Sequence, residues 1–179
     1  MPAPPFHPLQ VTRRSAEAEG AVALTLAVPL DLREQFQFEP GQFLTLRLRP
    51  GGEEMRRCYS ICSPRSRLSR HGEIEIGIRA VAGGRFSQWA NKSLMAGDVI
   101  DVMPPEGRFT VRRKHALHRV GFAAGSGITP ILSIIASTLD EQKKSKFSLV
   151  LGNRRMSSVM FNEALQDLKD RYKIGRAHV

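Results

Sequence analysis

Three short stretches carry side chains whose types and spacing suit chemistry. Arg57-Cys58-Tyr59-Ser60 places a cation, a ring and a hydroxyl within four residues of a strand-like stretch. Side chains alternate along a strand, so Arg57 and Tyr59 share a face. A guanidinium grips a phosphate in bidentate fashion, a tyrosine ring packs on a flat heterocycle, and Ser60 can hydrogen-bond a ring nitrogen. Gly83-Gly84-Arg85-Phe86-Ser87 opens a short helix. Glycines let backbone approach a phosphate closely, amides at a helix start attract anions, and Ser87 can add a donor. Gly125-Ser126-Gly127-Ile128-Thr129-Pro130 follows a strand and precedes another helix, with Thr129 expected as N-cap and Pro130 at the first helical position. It is shorter than Gly-x-Gly-x-x-Gly, so only the anion-site logic of that fingerprint transfers. Two such sites in one chain point to a flavin and a nicotinamide exchanging hydride.

Composition narrows the alternatives. The 179 residues fit one large domain, or a domain and part of another. No apolar run approaches the length of a membrane span. Met1–His7 has no signal-peptide core and reads as a flexible lead-in, so the cytoplasm is the expected compartment. Cys58 and Cys62 are the only cysteines; an even separation would put them on one strand face. Two thiols without histidines at ligand spacing hold neither zinc nor a cluster, so no metal site is expected. The net charge of +10 is scattered in short clusters without interleaved stacking aromatics. Phosphorylated cofactors therefore fit it better than nucleic acid. Ser126 lies in Gly-Ser-Gly but lacks a nucleophile-elbow pattern, which argues against hydrolysis.

The elements that must position these residues change character along the chain. Up to residue 114 the signals are short strands between Gly/Pro turns. They include Ala21–Val28, Gln42–Leu48 with Leu44, Leu46 and Leu48 on one face, Glu53–Cys62, the alternating Ile74, Ile76 and Ile78, and Val99–Val102. A short helix is expected over Phe86–Leu94. This pattern predicts an antiparallel barrel or sandwich. Beyond it come strand His118–Ala124, a helix with Ile131, Ile134, Ile135 and Leu139 on one face, and strand Phe147–Leu151. A second helix carries Phe161, Ala164, Leu165, Leu168 and Tyr172. That order implies a parallel sheet.

Pro40-Gly41-Gln42-Phe43, Arg57-Cys58-Tyr59-Ser60 and Gly84-Arg85-Phe86-Ser87, in this order, resemble the ferredoxin–NADP⁺ reductase superfamily. Within it they are most similar to reductase components of multicomponent oxygenases, of the phenylacetyl-CoA epoxidase kind. The resemblance covers residues 6–173. It implies a six-stranded antiparallel Greek-key flavin-binding barrel over 6–114, followed by a partial parallel α/β nucleotide-binding domain over 115–173. It assigns Arg57 to the flavin pyrophosphate, Tyr59 to the isoalloxazine and Ser60 to the neighbourhood of its reactive N5, making Tyr59 and Ser60 the expected catalytic pair. Ile76, Gly77, Ile78 and Arg79 are expected to flank the ribityl or adenylate side, with Gly83, Gly84, Arg85, Phe86 and Ser87 at the phosphates. A second phosphate site favours FAD over FMN. Gly125, Ser126, Gly127, Thr129 and Pro130 are expected to face the nicotinamide and its pyrophosphate, and Asn153 and Arg154 the adenosine ribose. Arg154, with Arg155, suits a 2′-phosphate and so NADPH over NADH.

The family pattern also implies a C-terminal 2Fe-2S domain that passes electrons to an oxygenase component, a di-iron enzyme of aromatic degradation. No such domain is present in this sequence. Ile174-Gly175-Arg176-Ala177-His178-Val179 breaks the amphipathic pattern and matches one reading frame of a common sequencing adapter. Residues 174–179 are therefore expected to be a non-native tail on a shortened chain, one that binds flavin without efficient turnover. Two other readings stay open: a simple NAD(P)H flavin reductase with no iron–sulfur step, and a basic nucleic-acid-binding module.

Overall fold

The alternating first half forms six strands: β1 His7–Ala18, β2 Ala21–Ala27, β3 Phe43–Leu48, β4 Met55–Ser60, β5 Glu73–Arg79 and β6 Val99–Val102. The structure, a computed structural model, describes residues 5–49, 52–111 and 118–172, and the backbone alone of 175–178. The strands pair antiparallel in the order β4-β3-β6-β1-β2-β5, a Greek-key order. β4 and β5 are the edges of this sheet. An antiparallel bridge between Ile61 and Ile76 joins them, with the Cys62 N–H donating to the Glu75 carbonyl at 2.8 Å, and closes the barrel. Val22, Leu24 and Leu26 of β2, Leu44 and Leu46 of β3, and Ile74, Ile76 and Ile78 of β5 fill its interior.

The wide gap beside that bridge is covered by helix α2, Arg85–Lys92, which packs on both β4 and β5. Helix α1, Arg65–His71, is an addition to the expected elements and ends at Gly72, whose φ of 69° is left-handed. Phe6 and His7, expected in a lead-in, belong to the barrel: His7 begins β1, and the Arg47 guanidinium lies 4.0 Å over the Phe6 ring.

The second body contains β7 His118–Ala124, α3 Ile128–Glu141, β8 Lys146–Gly152, α4 Asn162–Tyr172 and β9 Gly175–His178. Its sheet runs β7-β8-β9, all parallel. Residues 175–178, for which the sequence predicts no element, thus pair with β8. The boundary expected between 114 and 115 lies outside the described residues. Thr129 is not the N-cap: a 3-10 turn over Gly125–Gly127 runs straight into α3, so the helix starts at Ile128. Phe161 lies just before α4 with φ 58°, rather than on it. Among the described residues no helix is long and apolar enough to cross a membrane.

The two bodies share a packed face. β2 reads as a nearly unbroken apolar run because both of its sides are covered. Val22 and Leu24 point into the barrel, while Ala21 and Ala23 join the core of the α/β body, their small side chains admitting close approach. Hydrogen bonds fasten the contact: the buried Ser133 hydroxyl donates to the Ser63 carbonyl at 2.8 Å, and the half-buried Arg65 N–H donates to the Ser137 hydroxyl at 3.0 Å. Arg65 also pairs with Glu141 and Glu39. Cys58 and Cys62 do not share a face, because the strand ends at Ser60 and the chain turns. Cys58 is exposed and Cys62 is buried, where desolvation drives its thiol well above the ordinary range.

Candidate functional site

The last turn of the barrel and the first turn of α3 face each other across a cleft of about 440 Å³, within the range of small-ligand pockets. β4 supplies Arg57, Tyr59 and Ser60, β5 supplies Gly77 and Arg79, and the approach to α2 supplies Gly84, Phe86 and Ser87. The α/β body answers with Ser126, Gly127, Thr129 and Pro130. A second hollow of about 940 Å³ shares Arg79 and Ser126 as wall and adds Gly125, Asn153, Arg154 and Arg155. Residues expected to serve a flavin and residues expected to serve a pyridine nucleotide therefore meet in one groove.

Each wall has a local cause. Tyr59 is half-buried, with its ring centroid 5.6 Å from Phe86, which itself meets Trp89 edge-on at 6.4 Å. This stack fixes the ring from behind. Burial pushes the Tyr59 phenol up to about 12 against the opposing Arg57 charge, so at neutral pH it is an uncharged platform and not a base. Arg57 donates through Nη1 to the Arg56 carbonyl at 2.7 Å and has no ion pair among the described residues, which leaves its charge for an anion. Its neighbours differ: Arg47 and Arg56 are neutralised by Asp101 and Glu54.

The turn into α2 requires glycine at both positions. Gly83 has φ 72°, and a Cβ on Gly84 would stand 2.5 Å from Val81 Cγ2 and 2.6 Å from Ser87 Oγ. The Ser87 hydroxyl, expected as a ligand donor, donates to the Gly84 carbonyl at 3.1 Å and accepts from the Val81 N–H at 3.2 Å. It shapes the turn. Likewise the Thr129 hydroxyl donates to the Ser126 carbonyl at 2.8 Å and holds the glycine turn closed.

Gly77 is the point of closest approach. A Cβ there would lie 2.7 Å from Thr129 Cγ2, 2.9 Å from Phe161 Cζ and 3.0 Å from Met160 Cε. Gly127, opposite, has nothing within 4 Å of where a Cβ would stand, so its face is open to a ligand. Some expected residues lie elsewhere. The Ile76 and Ile78 side chains are fully buried in the barrel core, and neither residue lines the cleft. Arg85 points away from the cleft and pairs with Glu53 at 3.0 Å.

The fit of dinucleotides is testable on the walls themselves. Arg79 Nε and Asn153 Nδ2 are buried without a hydrogen-bond partner. Unmet buried donors each cost roughly 1–3 kcal/mol, so a wall carrying two of them suits a ligand rich in acceptors, as phosphates and ribose are. Sequence reading missed Glu19 and Gly20, which line the second hollow from the β1–β2 turn. The signal was absent because β1 beyond Val11 has no apolar alternation leading into that turn.

Comparison with known proteins agrees with this geometry. The oxidoreductase FAD-binding domain family matches residues 9–111, and the oxidoreductase NAD-binding domain family matches 122–179. The chain is 47% identical over 169 residues to a component of the 1,2-phenylacetyl-CoA epoxidase of Escherichia coli K12, covering 93% of this chain and 46% of that protein. It is 36% identical over 167 residues to the ferredoxin reductase component of 3-ketosteroid-9-alpha-monooxygenase of Rhodococcus rhodochrous, covering 92% of this chain and 46% of the relative. The chain thus spans less than half the length of these relatives. Among solved structures, the flavohem-like FAD/NAD-binding domain of nitric oxide dioxygenase from Vibrio cholerae superimposes with a TM-score of 0.81 at 22% identity, over 97% of this chain and 73% of that one. An FAD-binding barrel fused to an NAD-binding α/β unit, matched in both sequence and shape, means that the chain belongs to the ferredoxin–NADP⁺ reductase-like family of oxidoreductases.

Proposed function

We propose that this chain is the flavin- and pyridine-nucleotide-binding part of an NADPH-dependent reductase that supplies electrons, through an iron–sulfur centre outside this sequence, to a di-iron oxygenase of aromatic degradation. The 47% identity to an epoxidase component supports phenylacetyl-CoA as the oxygenase's substrate. FAD, when bound, supplies the chemistry, accepting a hydride and releasing electrons singly.

The chain's own residues bind and orient. Arg57 neutralises the flavin pyrophosphate from one side, and the amides from Gly84 onward approach it from the other. Tyr59 presents a neutral ring to the isoalloxazine, and Ser60 offers a hydroxyl beside it. Gly125, Ser126 and Gly127 give the nicotinamide nucleotide a wall without side-chain bulk, Thr129 locks that wall, and Pro130 lines its floor. Asn153 and Arg154 take the adenosine ribose, and Arg154 its 2′-phosphate.

The observation that carries this reading is the meeting of Arg57, Tyr59 and Ser60 with Ser126, Gly127 and Thr129 around one cleft. The test is a titration of the purified chain with FAD, followed by NADPH under anaerobic conditions. The expected result is tight uptake with loss of the flavin absorbance on adding NADPH, and much weaker uptake by Arg57→Ala. A wild-type chain that takes up no flavin, or an Arg57→Ala variant with unchanged affinity, overturns it.

A further inference from the structure

Phe161 breaks two conformational rules at once. It stands immediately before α4, and its carbonyl accepts the Leu165 N–H at 2.9 Å, so it occupies the helix's N-cap position. That position favours glycine or a small polar residue, and here it holds a buried aromatic ring. Its φ of 58° is left-handed, the only such value at a non-glycine among the described residues. For a bulky side chain this is an outlier. Strain of this kind persists only where the surroundings fix it, and it clusters where geometry serves function.

The surroundings that fix it belong to the barrel. The Phe161 N–H reaches the Glu17 carboxyl on β1, and the Ser15 hydroxyl donates to the same carboxyl at 2.9 Å, which orients it. Just upstream, the Glu19 N–H donates to the Ser157 carbonyl at 3.1 Å, and the Arg79 guanidinium donates to the Ser158 carbonyl. With its backbone tied down in this way, the ring ends against β5, where Cζ lies 2.9 Å from the place of a Cβ on Gly77. Gly77 lines the flavin side of the cleft. Thr129, whose methyl converges on the same point, lines the nucleotide side. Phe161 itself lines neither the cleft nor the hollow beside it. We infer that Phe161 is a positioning residue, a spacer whose ring sets the separation of the two cleft walls and which Glu17 holds in place. The inference rests on the FAD and NADPH reading of the cleft. Hydride transfer needs reacting atoms in near contact, so a displacement of about 1 Å can slow it about a hundredfold. A stiff ring, anchored by its backbone at one end and stopped by a glycine at the other, fixes such a distance.

The experiment follows anaerobic reduction of FAD by NADPH in the full chain, with FAD affinity measured for each variant. Phe161→Leu stays apolar but removes the ring tip at Gly77. It should lower the reduction rate at saturating NADPH about tenfold or more, while FAD affinity and the half-saturating NADPH concentration change less than about twofold. Glu17→Leu removes the acceptor from a half-buried position and should slow reduction in the same way. Glu17→Gln keeps a carbonyl acceptor and should hold the rate near wild type. Reduction rates within about twofold of wild type in both Phe161→Leu and Glu17→Leu overturn the inference. So does a fall in FAD affinity that matches the fall in rate, because Phe161 would then only support the fold. If Phe161→Leu does not fold, the two Glu17 variants decide: equal rates in Glu17→Leu and Glu17→Gln overturn the inference, and a slow Glu17→Leu beside a normal Glu17→Gln upholds it. A wild-type chain that takes up no flavin, or whose flavin NADPH does not reduce, would instead remove the reading of the cleft on which this one stands.

Discussion

Adding one methyl group at Gly77 tests whether the barrel and the α/β body are fixed at the separation that forms the cleft. The new Cβ of Gly77→Ala would stand 2.7 Å from Thr129 Cγ2, 2.9 Å from Phe161 Cζ and 3.0 Å from Met160 Cε. All three belong to the opposite body. Overpacking of this kind costs roughly 1–3 kcal/mol. The lower chain entropy of alanine in the unfolded state offsets about 0.4–1 kcal/mol of that. A net loss of about 1–2 kcal/mol is expected, read as a lower urea midpoint with an unchanged slope. Thr129→Ser removes the closest atom while keeping the hydroxyl that donates to Ser126. In the Gly77→Ala background it should restore about half of the loss, a coupling that a double-mutant cycle measures. Since Gly77, Thr129 and Pro130 line the same cleft, Gly77→Ala should also slow flavin reduction by NADPH, with less effect on FAD affinity. A variant as stable as wild type, or a deficit that Thr129→Ser leaves intact, would refute the close contact.

Other consequences are simpler to measure. Arg154→Ala should raise KM for NADPH much more than for NADH; equal effects would remove Arg154 from 2′-phosphate recognition. Burial holds the Glu17 carboxyl above its ordinary range, so its contribution to stability is full below the unfolded value and is lost as pH rises through the raised folded one. Glu17→Gln should therefore flatten the fall in urea midpoint between pH 4.5 and neutrality, and an unchanged slope would contradict this. Val120 and Phe122 on β7 are 57% and 73% exposed, leaving one sheet face uncovered. Amides of 118–172 should accordingly exchange faster than those of the barrel strands, and equal protection would count against it.

How much of this was legible in the sequence depended on whether an element's burial shows as a pattern. Ile74, Ile76 and Ile78 alternate cleanly because only one face of β5 meets the barrel core at those positions, and the inward face of that strand reads correctly from the sequence. β2 alternates only in part because its second face is buried too, by a body that is remote in sequence. Helix α1 buries Leu68 alone, so it leaves no apolar stripe to find. The twelve-residue β1 is mostly polar and opens with His-Pro; it gives the barrel core Leu9 and Val11 near its start, and beyond them backbone pairing, chiefly to β2, carries it. At the site, Arg57, Tyr59 and the glycine turns were readable because each residue type has a local chemical reason. The internally bonded hydroxyls of Ser87 and Thr129 were not, since only the folded turn determines whether a hydroxyl faces a ligand or its own backbone.

The net charge of +10 gains meaning from where the acids are. Arg47, Arg49, Arg56, Arg65, Arg67, Arg70 and Arg85 all pair with carboxylates. Arg57, Arg79, Arg154 and Arg155 have no ion pair among the described residues, and all four line the cleft or the hollow beside it. These four cations place positive charge along the groove, where low-dielectric walls focus it. That arrangement suits a compact polyanion such as a dinucleotide. Raising salt from about 0.1 M to about 1 M shortens the screening length from about 10 Å to about 3 Å. KM for NADPH should then rise steeply while the rate at saturation stays nearly constant, because salt weakens capture and not the bound geometry. An oligonucleotide that displaces NADPH at moderate salt would reverse the argument, since the groove would then be reading a backbone instead of a dinucleotide.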